Sequence, residues 1–159
     1  MNSFYNNNVS KDNIDTGMLY KYITDGKLSA AFSLASQFEK STKTDVLFNI
    51  ALVHHLVGNN QKAIEFIDSA LTALRQQAPV MKTAPVSQAM QTARILDITN
   101  KSYLRPVTND YVNGFPELMM GDILMAGTVF ANLANLPAKK SNYIVSLIGS
   151  EFENFKKEF

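Results

Sequence analysis

His54 and His55 are the residues most able to do chemistry in this chain, and they are its only histidines. Imidazoles serve as general bases and metal ligands, but joint chelation on a helix needs the i, i+4 spacing. Neighbouring helical positions point about 100° apart. His54 is therefore expected to pack between helices while His55 faces a groove. The carboxylate pairs Glu65 with Asp68 and Glu151 with Glu153 stand beside polar neighbours on amphipathic stretches. Nothing there raises a carboxyl group toward the pKa that acid catalysis needs. Gly149-Ser150-Glu151 lacks the Gly-x-Ser-x-Gly elbow, and no glycine-rich phosphate loop occurs. With no cysteine, thiol nucleophiles, disulfides and thiolate metal sites are excluded. The expectation is a chain that is not an enzyme, with no catalytic residues, no metal and no cofactor.

A different cluster lies in the irregular stretch from Ser102 to Pro116, which carries Pro106, Asn109-Asp110 and Asn113-Gly114. Connectors in helical domains usually run about 2–8 residues, and longer ones are often functional. Tyr103, Arg105, Tyr111 and Phe115 make it richer in aromatic residues than disordered segments are. It is expected either to brace its own core or to form a secondary partner or ligand site. Met119, Met120 and Met125 read as core filling rather than as an adaptable binding surface.

These residues need a scaffold, and composition bounds it. A chain of 159 residues with 46% hydrophobic content suffices for one domain with a real core. Fifteen basic against 14 acidic residues leave a net charge of +1. The basic excess that drives phosphate binding is missing, so no nucleic-acid partner is expected. The polar start from Met1 to Asn8 lacks the pattern of a signal peptide. No window approaches ~18 uninterrupted apolar residues, so no membrane partner and a cytoplasmic location are expected.

The periodicity is helical throughout, with no alternating strand pattern. Residues 1–13 are Asn-rich and aperiodic and read as a disordered or loosely packed tail. Residues 14–159 read as one all-α domain of about seven helices. The first begins near Thr16 and ends at Asp25-Gly26; the second follows from Leu28 to about Phe38. The third, Thr44 to Val57, is apolar nearly all round, which suits either the centre of a helical layer or the wall of a groove. Gly58-Asn59-Asn60 breaks it, and an amphipathic fourth runs from Gln61 to Gln77. Helices are further expected over Val86–Lys101, Glu117–Asn135 and Lys139–Lys157, the last with a stripe of Ile144, Ile148, Phe152, Phe155 and Phe159.

Two consecutive stretches share one pattern at an offset of 32 residues: a helix, a glycine (Gly26, Gly58), then a helix with small residues on one face. Ala31, Ala35 and Phe38 answer to Ala63, Ile67 and Ala70. Within 44–75, Leu47, the pair Ile50-Ala51, His54, Gly58, Ala63 and Ala70 fall where a tetratricopeptide repeat has its conserved types. Lys62-Ala63-Ile64-Glu65 and Ser69-Ala70-Leu71 read like that family's second helix. The stretch thus resembles a tetratricopeptide (TPR-like) repeat, with a weaker copy over 16–43 and divergent helices over 86–159. The proline that commonly closes the repeat is displaced to Pro79.

That resemblance implies a right-handed α-solenoid of antiparallel helix hairpins and a scaffold or adaptor that binds a protein or peptide segment. Its concave face would present Asp45, Phe48, Asn49, Leu52, His55 and Leu56, with Phe48 and Leu52 as apolar anchors and Asn49 fixing orientation. On this view Phe48→Ala should weaken binding much more than stability. The groove could be open, or closed by the 102–116 segment or the last helix. The alternatives are a homodimer that buries the apolar surface against its copy, and a small-molecule-binding helical domain.

Overall fold

The computed structural model describes residues 17–77 and 101–134, and among these the chain is helical, with no strand. Six α-helices appear. They are α1 (17–24), α2 (Leu28–Ala35), α3 (Thr44–Leu56), α4 (Asn60–Gln77), α5 (Asn109–Gly114) and α6 (Pro116–Ala134), with a 3-10 turn at Ser102–Leu104 before α5. The tail over 1–13 and the helices expected from Val86 and from Lys139 lie outside the described residues.

The joints are set by backbone chemistry. Gly26 and Gly58 have φ of 74° and 87°, a region that costs glycine little. At each the same pair of bonds closes the helix: Gly26 N–H to Ile23 O with Lys27 N–H to Tyr22 O, and Gly58 N–H to His55 O with Asn59 N–H to His54 O. This is the Schellman arrangement, and it recurs at the 32-residue offset read from the sequence. The two stretches differ in where the second helix stops. The α2 helix ends at Ala35, short of the Phe38 expected. Gln37 and Phe38 tighten into i→i−3 bonds to Leu34 and Ala35, and the Ser36 hydroxyl donates to Ser33 O.

Packing follows hydrophobic pattern. Every residue of α3 from Thr44 to His54 is buried, which explains its lack of a polar face: it is central. The α2 helix lies against α3, and α4 packs on both α3 and α6. The two contact faces of α4 show in its buried set, with Ala63, Ile67, Ala70 and Leu74 joined by Phe66 and Ala73. Glu65, Ser69 and Thr72 point to solvent. The Lys62–Glu65 ion pair at 3.5 Å is exposed and contributes little.

Helix α6 begins on Pro116, whose fixed φ and missing N–H suit a first helical position. It is long and apolar enough, by length and composition, to cross a membrane, yet 61% of that stretch is buried within the fold. Met119, Met120 and Met125 are core residues, alongside Ile123, Leu124 and Phe130. The stretch expected to be irregular is more ordered than its Asn, Gly and Pro content suggests. Thr108 is extended (φ −105°, ψ 163°), and its hydroxyl accepts from the Tyr111 N–H, capping the short helix α5.

Candidate functional site

The site grows out of α3. Of the six residues expected to face a partner, Phe48, Asn49 and Leu52 are 0%, 2% and 1% exposed, and Asp45 is also buried. His55 is half-buried, and Leu56 alone is open, at 51% exposure. The arrangement is the closed one: Val107 is bonded to Asn49, α5 packs on α3, and Phe130 of α6 stacks on His55. Phe48 and Leu52 are thus core residues of the folded chain, because a helix apolar all round has been given a neighbour on every side.

At the centre Asn49 clamps the backbone of one residue of the covering segment. Its Nδ2 donates to Val107 O at 2.9 Å, and Val107 N–H donates to its Oδ1 at 2.8 Å. Both bonds are buried, and together they orient the carboxamide. They imitate what a neighbouring β-strand would offer to Val107. Residues 105–108 are non-helical, and Pro106 biases Arg105 toward the extended form. Val107 belongs to the core cluster, as do Tyr103 and Val112. Burial pushes the Tyr103 phenol pKa up.

Polar ties hold the rim. Thr44 Oγ1 donates to Gln77 Oε1 at 3.2 Å, and Gln77 Nε2 donates to Asn113 Oδ1 at 2.8 Å, linking the start of α3 through the end of α4 to α5. Tyr111 donates from its hydroxyl to Asp122 Oδ2 at 2.6 Å, the short distance of a bond to a carboxylate. Beside it a cleft of about 300 Å³ is lined by Tyr20, Arg105, Pro106, Val107, Thr108, Tyr111 and Asp122. The four residues expected to form a secondary site therefore separate. Arg105 and Tyr111 line this cleft, and Tyr103 belongs to the core. Phe115 is 56% exposed; its N–H donates to Tyr111 O at 2.9 Å and its ring lies 6.0 Å from that of Tyr111.

The two histidines have different surroundings. His54 lies between Phe66, stacked at 5.4 Å and 5° between planes, and Phe32, edge-on at 5.6 Å. Burial lowers its pKa, partly opposed by Glu39, and its Nδ1 has no hydrogen-bond partner among the described residues. His55 joins α3 to α6: its ring stacks on Phe130 at 4.6 Å, and its Nδ1 is 2.8 Å from Asn60 Oδ1. Asp45, in the first turn of α3, has its pKa raised by burial, against the lowering effect of the Val46 backbone N–H and of Lys43.

Sequence reasoning missed Asp122, Tyr20 and Thr108. Asp122 had a signal, being the lone charge within the apolar run from Leu118 to Leu133. Thr108 had one too, as a cap before Asn109-Asp110. Tyr20 had none. Among known proteins, no family model, curated protein or solved structure matches the chain.

Proposed function

We propose that the chain is a helical-repeat module that binds an extended protein segment on the α3 side. The solenoid of antiparallel hairpins implied by the tetratricopeptide resemblance is part of this proposal, and the recurrence of one helix cap at a 32-residue offset supports it. The observation that carries the functional reading is the Asn49–Val107 pair. A buried carboxamide grips the N–H and C=O of one extended residue, a contact any peptide backbone can make. Specificity would then come from apolar side chains set beside Phe48 and Leu52. The test is a peptide-display selection against the purified chain, repeated on Asn49→Leu. Enrichment of extended apolar peptides that the variant no longer retains supports the reading. If no retained peptide depends on Asn49, even after residues 103–108 have been loosened, the reading fails.

The cleft favours a second reading, a small-molecule-binding helical domain. Its aromatic walls and the Tyr111–Asp122 pair suit a ligand with a flat apolar body and a hydrogen-bonding group. A metabolite that raises the melting temperature of the native chain, but not that of Asp122→Asn, would favour it.

A further inference from the structure

We infer that residues 103–108 are a displaceable, self-supplied occupant of the α3 site, and that the partner is an extended segment with a basic residue, a proline and an aliphatic residue in succession. This rests on the reading of α3 as a protein-binding face and adds its regulation and the chemistry of its ligand.

Three observations carry it. First, the polar grip on Val107 is made to backbone. Asn49 bonds both polar atoms of Val107 and asks nothing of its side chain. An apolar residue at 49 would leave both atoms buried without partners, so the site demands an extended backbone there and is indifferent to the side chain that backbone carries. Second, the segment is held in the core by the side chains of Tyr103 and Val107, with little burial between and beyond them. Val107 is buried and Pro106 half-buried, while Arg105 and Thr108 on either side are exposed. Pro106 has no N–H to satisfy and pre-sets an extended chain, which lets the segment lie across helices without secondary structure of its own. Third, the cleft of about 300 Å³ runs along 105–108 itself, so the segment leaves room where core elements close-pack.

The occupant is therefore a template for its replacement. The aliphatic side chain would take the place of Val107, and the preceding proline that of Pro106. A basic residue would take the place of Arg105, which lines the same cleft as the Asp122 carboxylate. A tethered segment competes at an effective concentration on the order of mM, so the site stays closed until a partner exceeds that competition.

The experiment uses a fluorescein-labelled peptide of the chain's own sequence, Tyr-Leu-Arg-Pro-Val-Thr, added to the full chain and followed by anisotropy. The Pro106→Gly/Val107→Gly double variant, which weakens the tethered copy and leaves α3 intact, should bind it at least about tenfold more tightly than the native chain. Adding Asn49→Leu to that background should abolish binding. Equal binding by the native chain and the double variant overturns the displacement alone and leaves α3 a binding face. No binding by a double variant with native circular dichroism overturns the inference, and the α3 reading fails with it if peptide display also yields nothing. Should the double variant not fold, amide exchange of the native chain decides. Val107 N–H exchanging at least about tenfold faster than the Ile50 and Ala51 amides supports a segment that lifts on its own, and equal protection makes it a fixed brace.

Discussion

The stretches 17–35 and 44–77 are closed by the same hydrogen bonds around Gly26 and Gly58, yet they occupy opposite situations in the fold. In the first, Leu19, Ala31 and Ala35 are buried while Met18 and Phe32 are substantially exposed, at 37% and 42%. In the second, α3 is buried almost throughout and α4 has partners on two sides. Position 22 of the first is a half-buried tyrosine; its counterpart 32 residues on is His54, enclosed by two phenylalanines. A shared cap fixes how the chain turns. The all-round apolar surface of α3, together with α6 and the 103–112 segment, fixes which stretch becomes the centre.

The largest break in that comparison comes from Phe48→Ala. Phe48 is fully buried, so the substitution should cost about 3–5 kcal/mol of stability, read as a lower denaturant midpoint. This reverses the sequence-based expectation that binding would suffer more than folding. Phe32→Ala, in the outlying stretch, should cost far less. Comparable losses would mean that α3 is not the centre.

Asn49→Ala comes next, at about 2 kcal/mol, because it leaves the Val107 N–H and C=O buried without partners. The informative companion is Asn49→Asp. A carboxylate can still accept from Val107 N–H but sets an oxygen against Val107 O, so it should fare no better than alanine. If aspartate restored native stability, the reciprocal pair could not be what holds the segment down.

Gly26→Ala and Gly58→Ala test the equivalence of the two caps directly. No atom lies within 4 Å of a Cβ added at either glycine, so only the positive φ is at stake. Each should lose about 1 kcal/mol by thermal unfolding. A loss at Gly58 several times that at Gly26 would show that the caps differ in more than their surroundings.

The boundaries of α3, α4 and α6 and the two glycine joints were legible because they are local, whereas the early end of α2 at Ala35 and the short helix α5 were not. Glycines, a helix-starting proline and runs of apolar residues carry their own signals within a turn or two. Asn49 was singled out through the tetratricopeptide resemblance, as the residue that would hydrogen-bond a bound segment. Its partner was not, because a backbone amide 58 positions away has no side-chain signature. For the same reason the closure of the α3 face could be framed only as one of two options. The Tyr111–Asp122 bond joins a residue singled out in the connector to one passed over in a helix. Only the fold of α5 onto α6 brings them together.

The smallest expected effects separate His54 from Asp45 by pH. The His54 pKa is held below its ordinary 6.5 by burial, so on acidification the unfolded chain takes up that proton first. The stability His54 contributes is present above about pH 6.5 and is lost as pH falls below it. Asp45 works in the opposite sense. Its pKa is raised above 3.8, so the folded chain binds that proton first, and stability falls as pH rises through the window above 3.8. Between neutral pH and about 4 the two slopes oppose one another, and the native profile should be flatter than either alone. His54→Phe keeps an aromatic ring between Phe32 and Phe66 and removes the titration, so its stability should rise toward acid relative to the native chain. Asp45→Asn removes the burial of a carboxylate, so its stability should fall more steeply toward acid than the native chain's. Denaturant midpoints taken at half-unit pH steps read both slopes. Parallel profiles for the two variants would mean that neither side chain is as buried as α3's central place requires.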